Sequence, residues 1–344
     1  MSLADSTLVG QNLLYLEVSM KILAVDDDLF ILELLTMMAA RAGFKDISTA
    51  PSGEVALDML NVGDVVFDCL LFDISMLEMD GIELCGLVRA IPTYNKTPII
   101  MMTAMAERDY VDRAFRAGAT DYINKPFDLI ELNARLRMAE ELFVTRQEVA
   151  SSNTKDNGFQ FDDVRKHSFS LSDEIRIEGV TNLISYAALE NYLTQLSHAG
   201  IAASQVVAVK IDAIEKIYAR ASAEEFFYAL TETADALGEI FSKDGYMMAY
   251  TGNGNFVVVS GKATLEESAE LEIKTQDYLD EKATEYDNGD PLDITISIGN
   301  PLRLSLSTTQ RIGETFHRAI ARVENRATRK QSEPRPLSIR LVGR

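Results

Sequence analysis

Three kinds of reactive side chain stand at the ends of short apolar runs in the first third of the chain. Asp26, Asp27 and Asp28 follow KILAV (21–25), and Asp73 follows DCLLF (68–72). Thr103 follows PIIMM (98–102), and Lys125 follows DYIN (121–124) and precedes Pro126. If these runs are parallel strands, their carboxyl ends meet on one rim, the place where ligands gather in open α/β sheets. Adjacent carboxylates at a strand end repel unless a cation lies between them. No His or Cys accompanies them, so the set suits a hard cation with oxygen ligands, Mg²⁺ before all others. A carboxylate beside such an ion is a competent nucleophile toward a phosphoryl group. Lys125 and Thr103 would hold the phosphate oxygens that the cation leaves free. Asp28 reads instead as the N-cap of the helix that follows, and Asp80-Gly81 as a turn and helix start.

The elements that must position these groups alternate. The strands named above, with ISTA (47–50), are separated by amphipathic patterns at 28–42, 52–63, 81–90 and 107–117. Five βα repeats predict a parallel sheet covered on both faces. A fifth helix starts at Asp128 and runs to about Ala150, with Leu129, Leu132, Leu136, Ala139 and Phe143 spaced as in a dimer-forming coiled coil. Residues 151–174 are polar and aperiodic, a linker. Beyond it the pattern reads helix (185–199), strand (205–211), long helix (222–243), strands (246–250 and 255–260), helix (264–285), strand (292–298) and helix (309–328). That order predicts an α+β domain with a mostly antiparallel sheet and helices on one side.

The 344 residues suggest two domains, and 47% hydrophobic against 25% charged residues gives each an ordinary core. With 53 acidic against 33 basic side chains the net charge is −20. Such a surface repels phosphate backbones and anionic lipid, so nucleic-acid and membrane partners are excluded. Residues 301–344 are the exception: ten Arg/Lys against three Glu give +7, leaving −27 for the rest. This basic end either docks on an acidic partner or is a solvated helix end. Cys69 and Cys85 lie in apolar stretches and read as reduced core residues of a cytoplasmic protein. Aliphatic runs such as Val206–Val209 are too short to span a bilayer. Residues 1–19 lack a basic start and carry Asp5 and Glu17, so they read as a leader or tag, or as an alternative start before Met20. His167, His198 and His317 lack metal-ligand spacing.

The segments VDDD (25–28), LLFDISMLEMDGIEL (70–84), IIMMTA (99–104) and GATDYINKPFD (118–128) together resemble the receiver domain of two-component response regulators, over residues 20–140. The resemblance implies a flavodoxin-like (βα)5 fold with Asp73 as phosphoacceptor. Asp26, Asp27 and Asp73 would be metal ligands, with the Ser75 backbone carbonyl. Thr103 and Lys125 would sense the phosphate, and Tyr122 would be the aromatic switch. It also implies a histidine kinase or phosphotransfer protein as partner. The family usually has Pro where this chain has Leu77, a change expected to loosen that loop.

Residues 176–328 resemble the GGDEF domain of diguanylate cyclases, a nucleotide-cyclase-like, ferredoxin-like α+β fold. EGVTNLISYAAL (178–189), VVAVKID (206–212), AYTGNGNFVVV (249–259) and DITISIG (293–299) carry the likeness. The chemistry expected of that family is missing. Its metal carboxylate falls on Lys210, and its signature hairpin reads Gly252-Asn253-Gly254-Asn255-Phe256. The guanine-reading positions fall on Tyr218 and Phe227, which lack the paired donor and acceptor. A phosphate-binding lysine falls on Glu324, and the inhibitory RxxD segment reads KDGY (243–246). Cyclase chemistry without a metal carboxylate forfeits several kcal/mol of transition-state stabilisation.

The expected arrangement is therefore a leader (1–19), receiver (20–140), helical extension and linker (141–175), degenerate GGDEF domain (176–328) and basic tail (329–344). The expected function is phosphorylation-controlled signalling, with the second domain a pseudo-cyclase that binds an unknown protein, and with a homodimer through the extended helix. Two rivals stand: residual synthesis of cyclic di-GMP from GTP, and a non-catalytic nucleotide sensor.

Overall fold

The computed structural model describes residues 20–62, 65–104, 108–155, 167–177, 179–304 and 309–332. The leader, part of the linker, Glu178 at the start of the GGDEF-like segment, and residues 333–344 of the basic tail lie outside them.

The first half alternates as its sequence pattern dictates: β1 (Ile22–Val25), α1 (Leu29–Arg41), β2 (Ile47–Ala50), α2 (Gly53–Val62), β3 (Cys69–Asp73), α3 (Gly81–Arg89), β4 (Ile99–Thr103), α4 (Arg108–Ala117), β5 (Asp121–Asn124) and α5 (Leu129–Lys155). The five strands form one sheet in the order β2-β1-β3-β4-β5, with the β1–β2, β1–β3 and β3–β4 pairs parallel. Every residue of β1, β3 and β4 is buried. Only strands covered on both faces show that unbroken apolar pattern. Leu32, Leu35 and Ala39 of α1 pack with Leu132, Leu136 and Ala139 of α5 on one face. So three of the five positions expected to form a dimer seam, Leu132, Leu136 and Ala139, are buried in the domain's own core. Cys69 and Cys85 are free and buried.

The second half runs α6 (Tyr186–Gln195), α7 (His198–Ala202), β6 (Gln205–Ile211), α8 (Ile214–Arg220), α9 (Ala223–Phe241), β7 (Tyr246–Tyr250), β8 (Asn255–Ser260), α10 (Ser268–Lys282), β9 (Ile296–Ile298), β10 (Leu302–Arg303) and α11 (Thr309–Ser332). Its sheet is antiparallel at every strand pair, in the order β10-β6-β8-β7 with β9 also on β6. The expectation of helices on one side fails. Val207, Val209 and Ile211 pack with Phe226, Ala229 and Leu230 of α9, while α11 lies against β6 and buries Phe316, Ala319 and Val323. All seven residues of β6 are buried, which requires cover on both faces. The expected strand 292–298 shrinks to three residues, and α8, α7 and β10 are additions the periodicity did not reveal. Ser222 and Glu225 close α9 with a reciprocal capping box.

By density of contacts the chain divides into Met1–Ala104 with Ile123–Ser152, and Met105–Tyr122 with Asn153–Arg344. Within the second unit, Phe115 of α4 meets Tyr192 of α6 edge-on at 5.6 Å, and Asn191 donates to the Thr120 carbonyl at 2.9 Å. No described helix is long and apolar enough to cross a membrane.

Candidate functional site

Each acidic group at the rim is delivered by the end of a strand. The Asp26 N–H donates to the Ala50 carbonyl, which continues the β1–β2 ladder to the last residue before the loop. Asp73 closes β3 and pairs in register with Met102. Opposite them, the Lys125 N–H donates to the Thr103 carbonyl at 2.7 Å, which fixes the lysine to the end of β4.

These placements bring five expected residues to one rim. Carboxylate oxygens of Asp26, Asp27 and Asp73 lie within 4.8 Å of one another. Lys125 Nζ stands 2.7 Å from Asp26 Oδ2 and 2.7 Å from Asp73 Oδ1. Asp26 and Asp73 are buried, as is Thr103, whereas Asp27 is exposed. The second oxygen of Asp73, Oδ2, meets no donor among the described residues. Ser75 is exposed two residues beyond Asp73. Tyr122 is buried and meets Phe115 edge-on at 6.5 Å.

Burial raises the Asp73 carboxyl above its usual range, and Asp26 and Asp27 add to the rise, while Lys125 opposes it. Lys125 shows the reverse balance. Burial alone would lower it, but Asp26 and Asp73 hold its proton and raise it. The rim thus has two buried carboxylates sharing one ammonium, which leaves it net negative, and an oxygen-only donor set that fits a small hard cation.

Asp28 caps α1, accepting from the Phe30 N–H at 2.9 Å, and Asp80 caps α3, accepting from the Glu83 N–H at 2.7 Å. Two further contributors lie outside the side-chain pattern. The Leu77 N–H donates to Asp27 Oδ2 at 3.1 Å. Proline has no such hydrogen, so the substitution expected to loosen this loop instead ties it to the acidic pair. Gly81 is the second. A Cβ there would lie 2.0 Å from the Asp73 carbonyl oxygen, so no other residue lets α3 start so close to the acceptor strand. A glycine one position after a capping Asp was the available signal.

The cyclase-like positions of the C-terminal half form no acidic site among the described residues. Lys210 donates from Nζ to the Asn253 carbonyl, tying β6 to the hairpin. Asn255 donates to Glu324 Oε1 at 3.1 Å. Gly252, Asn253 and Gly254 all have positive φ, and Phe256 is fully buried. A Cβ at Gly252 would lie 2.3 Å from the Ser172 carbonyl oxygen, because residues 171–173 run directly over the hairpin, where Asn253 donates to Leu171. Tyr218 stacks on His167 at 4.1 Å and Phe227 meets Phe169 at 5.3 Å. The end of the linker therefore covers both aromatic positions.

A family model described as the response regulator receiver domain matches residues 22–137. Regulatory protein AtoC of Escherichia coli is 40% identical over 129 residues, 38% of this chain and 27% of that protein. Transcriptional regulatory protein YvrH of Bacillus subtilis is 33% identical over 133 residues, 39% of this chain and 54% of that protein. Chemotaxis protein CheY of Pseudomonas aeruginosa is 39% identical over 108 residues, 31% of this chain and 86% of that protein. The chain thus spans about a quarter of the first relative and about half of the second.

Proposed function

Because this chain belongs to the response regulator receiver family through residues 22–137, we propose that Asp73 accepts a phosphoryl group from the phosphohistidine of a histidine kinase or phosphotransfer partner. The observation that carries this reading is the shared ammonium of Lys125, 2.7 Å from both Asp26 and Asp73, beside an Asp73 oxygen that meets no donor among the described residues. That oxygen attacks phosphorus, the N–P bond of the donor breaks, and the imidazole leaves with its electron pair. The raised Asp73 carboxyl is a more basic nucleophile than an exposed aspartate, and Lys125 steadies it through the transfer. Asp26, Asp27, Asp73 and the Ser75 carbonyl would hold Mg²⁺, which when bound supplies charge neutralisation at the incoming phosphoryl oxygens. The Thr103 hydroxyl, at the end of β4, is the group that would close on the new phosphate.

Phosphorylation adds about −1.5 to −2 charge at a rim that already holds three carboxylates. Tyr122 meets Phe115 and Phe115 meets Tyr192, a row of edge-on rings that supports transmission from the expected aromatic switch to α6. The C-terminal half acts as a degenerate GGDEF domain whose output is protein interaction, in a cytoplasmic protein whose homodimer would use a surface other than the buried Leu132, Leu136 and Ala139 seam. Its antiparallel hairpin sheet supports the scaffold. Its lack of catalysis rests on Lys210 holding the hairpin carbonyl and on the linker lying over Tyr218 and Phe227.

Full-length protein incubated with acetyl phosphate and Mg²⁺ should shift on a phosphate-affinity gel, and Asp73→Ala should not. An unshifted wild type, or a shifted variant, removes the acceptor assignment. Cyclic di-GMP from the same protein given GTP with Mg²⁺ or Mn²⁺ would overturn the pseudo-cyclase reading. Light scattering before and after phosphorylation tests the dimer.

A further inference from the structure

A second polar site lies in the C-terminal half, away from the hairpin. A cavity of about 770 Å³ opens where α10, α11 and the end of β9 meet. Small-molecule pockets typically hold about 300–1,000 Å³. Arg322, Arg326, Arg329 and Lys330 line it from one face of α11, at helical spacings of four, seven and eight. Glu324, which bonds to Asn255 of the hairpin, is not among the lining residues.

The donors here already bind an oxyanion. Glu272 of α10 accepts from the Ile298 N–H at 2.9 Å, from Arg326 Nε at 2.9 Å and from Lys330 Nζ at 3.0 Å. Burial would raise this carboxyl, but the backbone N–H and the two cations outweigh it and hold it low. Lys330 also reaches Asp212 at 3.3 Å and the Ile296 carbonyl at 2.6 Å. Arg322 and Arg329 differ. They are exposed, they face the same cavity, and neither has an acidic partner among the described residues. Asn300 accepts from Ser268 Oγ at 2.6 Å through Oδ1, which leaves its Nδ2 as a further donor.

We propose that this cleft binds a small molecule through a pyrophosphate-type group, with Arg322 and Arg329 as the principal anchors and Arg326, Lys330 and Asn300 completing the donor set. Two guanidiniums on one helix face suit phosphate oxygens, which their planar forks meet two at a time. Among the described residues no aromatic or large aliphatic side chain lines the cavity, so charge and hydrogen bonds, not an apolar body, carry recognition. In a chain of net charge −20 this concentration of cations is unusual, and it holds four of the ten Arg/Lys of residues 301–344. The site is independent of the phosphoacceptor reading.

Calorimetric titration of the full chain with inorganic pyrophosphate, at low salt and with EDTA present, tests it. EDTA removes the divalent ion on which anion binding at the receiver rim would depend. The expected result is one saturable site, weakened at least about tenfold in R322A/R329A. R322K/R329K, which keeps the charge and loses the forks, should fall between. Should the variants prove unstable, hydrogen exchange on the wild-type chain should show protection at residues 298–300 and 322–330 on adding pyrophosphate. No heat, or undiminished binding by R322A/R329A, overturns the site. A short polyglutamate peptide that binds more tightly than pyrophosphate overturns the ligand class and makes the cleft a surface for acidic proteins.

Discussion

Replacing Lys125 with Met keeps the side-chain stem and deletes the ammonium that two buried carboxylates share. Side chains of Asp26 and Asp73 are 1% and 5% exposed, and that of Lys125 is 17% exposed. Removing one partner of a buried ion pair costs about 3–5 kcal/mol. Partial access of water to the lysine places this case near the lower end, at about 3 kcal/mol. For a unit of roughly 120 residues, an unfolding entropy near 2.1 cal/mol/K per residue turns that into a fall of about 12 °C in Tm. The loss should also depend on pH. Asp73 is raised in the folded state, so its contribution to stability is complete below the unfolded-state value near ~4 and is lost as pH rises through the folded value. Lys125 is the group that restrains this rise, so the gap between variant and wild type should widen from pH 5 to pH 8. The sequence has no Trp, so circular dichroism is the suitable probe, with EDTA in one series and Mg²⁺ in another. Mg²⁺ should recover most of the loss. A variant that melts within about 2 °C of wild type at pH 8 without divalent ions would refute the shared-ammonium argument, as would a gap that does not change with pH.

Leu77→Pro removes the N–H that holds Asp27. One hydrogen bond of about 0.5–1.5 kcal/mol should weaken Mg²⁺ binding by about twofold to tenfold in calorimetry. Gly81→Ala sets a Cβ against the Asp73 carbonyl and should cost about 3 kcal/mol in urea unfolding, with slower phosphorylation of whatever remains folded. Gly254→Glu, an attempt to restore an acid to the hairpin, puts a side chain at φ +72° with its Cβ 2.9 Å from Ile214. It should lose about 2–3 kcal/mol and gain no cyclase activity.

The rim was legible because its groups sit where a two-state pattern changes, at the carboxyl end of a fully apolar run. The strand runs read from sequence at 47–50, 121–124, 205–211, 246–250 and 255–260 coincide with β2, β5, β6, β7 and β8. What the pattern could not carry was backbone chemistry. The Leu77 N–H leaves no trace in side-chain type and was misjudged because only the loss of a ring was visible; Asp80-Gly81 marked a helix start but not how closely it approaches the Asp73 carbonyl. α8 escaped notice because seven residues hold barely two turns of periodicity. The cover on both faces of the second sheet was hidden for another reason. β6 is buried throughout, but Lys210 and Gln205 within it are polar and make the strand look half exposed. The linker's contact with Tyr218 depends on His167 and Phe169, whose spacing in a polar stretch suggested nothing.

The Lys210 contact with the Asn253 carbonyl changes what the hairpin depends on. An exchangeable ion in that position would make the turn answer to the divalent content of its surroundings and to any chelator present. An ammonium on a covalently attached side chain cannot be removed by a chelator. The turn's closure is therefore set by the chain itself and should not vary with divalent ions or chelator.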